Sequence, residues 1–412
     1  MDIHKYKVFQ SSVSLYFIYI ITALNFSYFN FTADGQHVGS TSFLYIAYLR
    51  MPLAFLGFCY MLMIHKMSLA RIMKIYPSIL FIFIAIALST ITSFDVFNGL
   101  IYSIWYVFII LYLMLYVDYL NKVLPSKDVI VVLIKPVFYF AGVFVIPALL
   151  RVTDYSIGQP FPGYFTSYSI VSMSAPLLVG SIAILYKSRL FVNIQIKAMF
   201  FSMVVFASFV ISISGKRASI LSLIVIIAMY FLIKKKSNSK FVLIPIVGIL
   251  LYLPLSINDV SDMTSEAIEY SRFRIEKSFD SERSTSINLR MIIWRKSLDI
   301  AENNILGIGM ANGRKILSFG IHSTYLGYLL ETGVLGFLSF LSVIIMAFVR
   351  SISTKLIEKK EMLYFMLFPT MLFNMTEYNS SPGQLMFIPF WVAVIYILSP
   401  SAFDRKFTYN RP

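Results

Sequence analysis

A small set of basic side chains stands where an otherwise apolar chain has little reason to carry charge. Lys216 and Arg217 lie in SISGKRASILSL, Arg290 in INLRMIIWRKSLDI, and His322 in GIHSTYLG. Charge in or beside a membrane is costly and marks functional positions by default. The planar fork of a guanidinium matches phosphate oxygens better than a lysine ammonium does. Histidine is the side chain suited to take a proton near neutral pH. Each residue also has a plainer reading. Lys216 and Arg217 could snorkel to lipid headgroups, and a lone histidine is often a capping or hydrogen-bonding group. Arg295 and Lys296 read as a solvated face of the Arg290 helix. Arg50, in YLRMPLAF, could bind a ligand phosphate or pair with Glu331 or Glu377. Aromatics in GQPFPGYFTSYS, just after Arg151, could stack on sugar rings, although Tyr and Phe also form interfacial belts.

The elements that must position these groups are membrane helices. Hydrophobic residues make up 58% of the 412 and charged residues 13%, with a mean hydropathy of +0.77. A globular chain is about half apolar and a quarter charged, so this composition indicates an all-α polytopic membrane protein. The net charge of +15 is scattered rather than gathered on one soluble face, which argues against a nucleic-acid partner. Cys59 is the only cysteine, and the four histidines are scattered, so neither a disulfide nor a zinc site is expected. The apolar run after Lys7 lacks a small-residue cleavage site and reads as a first span rather than a leader.

A span needs about 20 apolar residues. On that rule about twelve helices are expected, near 10–30, 42–64, 75–93, 99–119, 129–150, 168–186, 193–213, 217–233, 240–256, 323–349, 362–378 and 384–400. The whole chain, 1–412, reads as one integral membrane domain. With the amino terminus inside, cations collect on alternate loops, among them Arg71 and Lys74, Lys122 and Lys127, and Arg350, Lys359 and Lys360. Both termini are therefore expected on the cytoplasmic side, and 257–322 becomes one long outer loop. Within that loop Ile287, Met291, Trp294 and Leu298 recur at helical spacing, which predicts an amphipathic helix lying on the membrane surface. NILGIGMANG after it is a glycine-containing turn, weak as a nucleotide motif because no strand precedes it. If a helix begins near His322, then His322, Leu329, Gly333, Gly336 and Phe340 share one stripe, and Glu331 points away from it.

Three segments together, GKRASIL, LRMIIWRKSLDIAENNILGIG and HSTYLGYLLETGVLG, resemble the shared core of the O-antigen ligase/polymerase superfamily. The resemblance covers roughly residues 160–345. It implies a GT-C-type transmembrane bundle in the bacterial inner membrane with a periplasmic active site. It implies a donor glycan on undecaprenyl pyrophosphate, with Arg217, Arg290 and the neighbouring Lys216 on the pyrophosphate and His322 as base toward the acceptor hydroxyl. Arg50, Arg151 and Trp294 are further candidates for substrate binding. No Asp-x-Asp pair is present, so neither metal nor cofactor is expected. The implied partners are the lipid-linked donor, a glycan or lipid A–core acceptor, membrane lipids and other polysaccharide-assembly proteins. The reading leans to a repeat-unit polymerase, with a ligase acting on lipid A–core as the alternative. A lipid-linked-oligosaccharide flippase or transporter is more distant, since it predicts two similar halves with any long loop between them.

Overall fold

The computed structural model describes residues 12–21, 49–65, 75–150, 168–186, 202–205, 207–208, 217–233, 285–317, 321–376 and 386–400. Every regular element among the described residues is helical. Three of these helices are long and apolar enough to cross a membrane: Val96–Val123, Ser126–Val145 and Thr324–Ser353. Six shorter apolar helices accompany them, including Pro77–Ile91, Ala218–Tyr230 and Phe387–Leu398. Most expected spans coincide with a described helix. The span at 240–256 and most of that at 193–213 lie outside the described residues, as does the first part of the long loop, 257–284.

The helices pack in pairs around one apolar core. Pro77–Ile91 lies along Thr324–Ser353, Arg50–His65 along Val96–Val123, and Ser126–Leu150 along Tyr168–Leu185. Arg217–Ile233 packs against both Tyr168–Leu185 and Phe368–Thr376. At the centre, the Tyr106 and Tyr328 hydroxyls are 2.7 Å apart, the Tyr328 ring stacks on Phe340, and Trp391 meets both Tyr106 and Phe340 edge-on. Such ring pairs contribute about 0.5–1.5 kcal/mol each beyond their burial.

Thr324–Ser353 is not one straight rod. Gly333 has φ 70° and ψ −173°, a backbone state essentially confined to glycine, and it divides the helix in two. In a straight helix, residues 12 and 15 apart would be about 18 and 22 Å apart along the axis. Yet the Tyr328 and Tyr325 rings lie 4.0 and 5.8 Å from the ring of Phe340. The segment that opens after His322 therefore folds over the core instead of running on outward. The remaining 334–353 is 20 residues long, which spans about 30 Å. The single stripe expected from His322 to Phe340 does not form, because Gly333 resets the helical phase between them.

Lys359, expected as a loop cation, is instead buried, and its ammonium donates to the Ser399 carbonyl at the end of Phe387–Leu398. That is a favourable place for a cation, since the last carbonyls of a helix lack backbone partners. Asn121 donates to the Ser399 hydroxyl at 2.9 Å, and the Ser351 hydroxyl to the Lys359 carbonyl at 2.9 Å. These bonds tie four helices together at the end of the bundle away from Gly333.

Candidate functional site

The break at Gly333 leaves backbone groups that the helix cannot satisfy internally, and the loop after the Thr285–Asn303 helix takes them up. Val334 N–H donates to the Ile305 carbonyl at 3.0 Å. In return, Ile308 N–H donates to the Leu330 carbonyl and Gly309 N–H to the Glu331 carbonyl, both at 3.0 Å. Buried peptide groups left unpaired are costly, so this exchange is what makes the broken helix tolerable. Gly307 and Gly309 both have positive φ, 88° and 87°. A Cβ on Gly307 would lie 2.6 Å from the Gly333 nitrogen, and one on Gly309 would overlap Ser93. The Gly-x-Gly turn is thus a fitted key in the helix break.

The turn at Thr92–Asp95 holds the other side of this loop. Thr92 Oγ1 donates to the Gly307 carbonyl at 2.8 Å, and Phe94 N–H to the Ile308 carbonyl at 3.0 Å. The buried Asn312 amide donates to Ser93 Oγ at 2.7 Å and to the Ile308 carbonyl at 3.0 Å. Asp95 caps Val96–Val123 by accepting from Asn98 N–H at 3.0 Å, and it pairs with Lys315. The Lys315 hydrogen bond, helped by the Asn98 backbone, holds the Asp95 carboxyl below its ordinary range. Its contribution to stability is therefore present at neutral pH and fades as pH falls through that lowered range. The pair is solvent-exposed and weakens with salt.

This frame carries His322. A small core of Ile293, Ile308, Leu317, Ile321 and Leu330 joins the Thr285–Asn303 helix, the glycine loop, the short Gly313–Leu317 helix and the residue just before His322. Buried Glu331 accepts a bond from Gly313 N–H through Oε1 at 3.2 Å, so it turns toward the loop. His322 is half-buried with φ 51°, one of two non-glycine residues with positive φ among those described. Ser323 then caps the following segment, accepting from Leu326 N–H at 3.4 Å. Thr324 Oγ1 donates to Asn374 Oδ1 at 3.3 Å, which ties this end to Phe368–Thr376.

Arg290 is brought toward the same place. The protein-facing side of the Thr285–Asn303 helix carries Ile293, Ser297 and Ala301, all buried. Helical spacing puts half-buried Arg290 in line with Ser297 and Ala301, one turn from Ile293. The apolar stripe expected to face the membrane is largely open: Met291 and Leu298 are exposed, and Trp294 is half-buried. The Trp294 Nε1 is buried and lacks a hydrogen-bond partner among the described residues, so this indole donor has its hydrogen bond still to give.

For Arg217 the backbone alone is described. It opens Arg217–Ile233, in which Tyr230 contacts Phe365 while the rest of the helix packs along Phe368–Thr376. The two helices therefore run antiparallel, and Arg217 lies at the Thr376 end, the end where Asn374 meets Thr324. The backbone of Arg217, Arg290 and His322 is thus gathered at one end of the bundle. Lys216 and Arg151 lie outside the described residues, and Arg50 is described only as the first residue of Arg50–His65.

Residues 202–341 match the family model described as O-antigen ligase. The match rests on one stretch of the chain. It covers about a third of the chain, falls within the 160–345 of the expected resemblance, and contains Lys216, Arg217, Arg290, Trp294 and His322. The matched stretch also takes in the glycine loop and the Gly333 break, which together form a latch. No curated protein matches the chain. The bonds from Thr92–Asp95 lie outside the matched stretch. Sequence reasoning missed them because the partners are more than 200 residues apart and share no local pattern.

Proposed function

We propose that the chain is a membrane glycosyltransferase that moves a glycan from undecaprenyl pyrophosphate to an acceptor hydroxyl. The observation that carries this reading is the family match over 202–341, the stretch that contains Arg217, Arg290 and His322. The arginines bind the pyrophosphate and neutralise charge as it develops on the leaving oxygen. His322 accepts the proton of the acceptor hydroxyl as that oxygen bonds to the anomeric carbon. The bond from the anomeric carbon to phosphate breaks, and its electron pair leaves with the pyrophosphate. The reaction needs neither metal nor cofactor. The surrounding architecture is a GT-C-type bundle of about twelve spans forming one integral domain in the bacterial inner membrane. Both termini are cytoplasmic, and the site faces the periplasm.

The acceptor is the next lipid-linked repeat, which makes the enzyme a repeat-unit polymerase. The family description favours a second reading, in which the glycan passes to lipid A–core. Deleting the gene and resolving the surface glycan on a gel separates them. Core bearing a single repeat supports the polymerase. Bare core with lipid-linked polymer accumulating supports the ligase, and repeats held at the cytoplasmic face would overturn both in favour of transport.

Arg217→Lys and Arg290→Lys are each expected to lose most of the transfer rate, because a point charge does not replace a two-pronged grip on phosphate. Full activity in both lysine variants, measured as product per minute in membranes, would remove the pyrophosphate role. Trp294→Phe keeps the ring and deletes the unpartnered donor. It is expected to raise KM for the donor about five- to tenfold with little change in kcat, since a hydrogen bond lost from binding costs about 1 kcal/mol. An unchanged KM would show that the indole does not touch substrate.

A further inference from the structure

At the far end of the Thr324–Ser353 helix from Gly333, a cavity of about 550 Å³ opens between that helix and the start of Pro77–Ile91. Ile345, Met346 and Val349 form one wall, and Ile345 and Val349 are 60% and 59% exposed. The cavity therefore opens sideways through the surface that a membrane helix turns to lipid. Its polar groups are Arg350, half-buried in the last turn of one helix, Ser353 and Thr354 close behind it, and Tyr76 and Ser78 at the start of the other. The positive end of the Pro77–Ile91 helix dipole faces the same space, and none of the lining residues is acidic.

A free anion would have no use for an apolar wall open to hydrocarbon, and a neutral lipid would have no use for Arg350. We propose that the cavity binds an anionic glycerophospholipid of the leaflet opposite the His322 end. The phosphate rests on Arg350 and an acyl chain lies along Ile345, Met346 and Val349. Bound there, the lipid fixes the lower half of the helix whose upper end is the Gly333 latch. The inference rests on the membrane reading of the chain and not on glycan transfer.

The test uses the purified full-length protein, stripped of lipid in a neutral detergent, with binding and melting temperature as readouts. Phosphatidylglycerol should bind and raise the melting temperature. Phosphatidylcholine with the same acyl chains should bind about fivefold more weakly, as expected for ~1 kcal/mol per basic residue at an anionic surface. Arg350→Gln should bring phosphatidylglycerol down to the phosphatidylcholine level. Val349→Trp, a change at an exposed position, should reduce both lipids while leaving the lipid-free melting temperature unchanged, so the test does not depend on how Arg350→Gln folds. Equal binding of the two lipids, or full phosphatidylglycerol binding by either variant, would overturn the proposal. So would a melting shift given equally by inorganic phosphate, or displacement of phosphatidylglycerol by polyprenyl phosphate at equal concentration. Glycan transfer enters none of these readouts, so failure here leaves the enzyme reading untouched.

Discussion

Replacing Gly333 with alanine is expected to unseat the Gly-x-Gly loop and abolish glycan transfer, although Gly333 meets no substrate. Its φ of 70° with ψ near −173° is a state that a side chain strains by about 1–3 kcal/mol. An added Cβ would also overlap the Ile305 carbonyl and crowd Leu306 and Gly307, which are the residues of the latch itself. The variant has two ways to relieve this, and both break the site. Either the helix straightens, pulling the Tyr325 and Tyr328 rings off Phe340, or the loop withdraws and releases the Thr285–Asn303 helix that carries Arg290. Insertion should survive, because 334–353 keeps its length and hydropathy. The measurement is transfer activity beside limited proteolysis of the 304–312 loop. Lost activity with a newly cleavable loop is expected. Wild-type activity and protection would mean that the break is not needed to hold the site.

His322→Asn is expected to be as stable as the wild type and inactive. Alanine, the obvious replacement, confounds two effects at this position, because His322 sits at φ 51°. Asparagine tolerates that left-handed conformation far better than most residues do and retains hydrogen-bonding atoms. It cannot, however, accept the acceptor's proton. Loss of a positioned base costs about 10²–10⁴ in rate, so the drop should appear in kcat while donor binding persists. His322→Ala should lose transfer too while accumulating normally in the membrane. If the asparagine variant transfers glycan at the wild-type rate, His322 is a structural residue and the base lies elsewhere.

Much of the scaffold was legible because span assignment depends only on long apolar runs. The expected 217–233 coincides with Arg217–Ile233, and 168–186 nearly with Tyr168–Leu185. Gly333 was not legible as a break. Hydropathy does not report φ, and a glycine in an apolar run reads equally well as a small residue at a helix contact. At Gly336 an added Cβ would overlap the Thr332 side chain across the break, and it would also lie 3.3 Å from Ala85 of the neighbouring helix. In the Arg290 helix the apolar stripe was visible, yet the face that docks on the protein carries Ser297 and Ala301, which hydropathy passes over. The position of Arg290 on that docking face follows from the fold. Asp95 had a local signal that could have been used, a capping acid three residues before Asn98. Its partner Lys315 had none, being 220 residues away.

A glycosyltransferase breaks the bond between glycan and carrier, and a transporter leaves it intact. The most direct measurement is to reconstitute the purified protein with a polyprenyl-pyrophosphate-linked oligosaccharide and an acceptor glycan in the presence of EDTA. The carrier and the glycan are then recovered separately. Free polyprenyl pyrophosphate and a lengthened acceptor are expected in equal amounts, formed by the wild type and not by His322→Asn. Donor recovered intact, or merely moved across the bilayer with its glycan still attached, would contradict the glycosyltransferase reading.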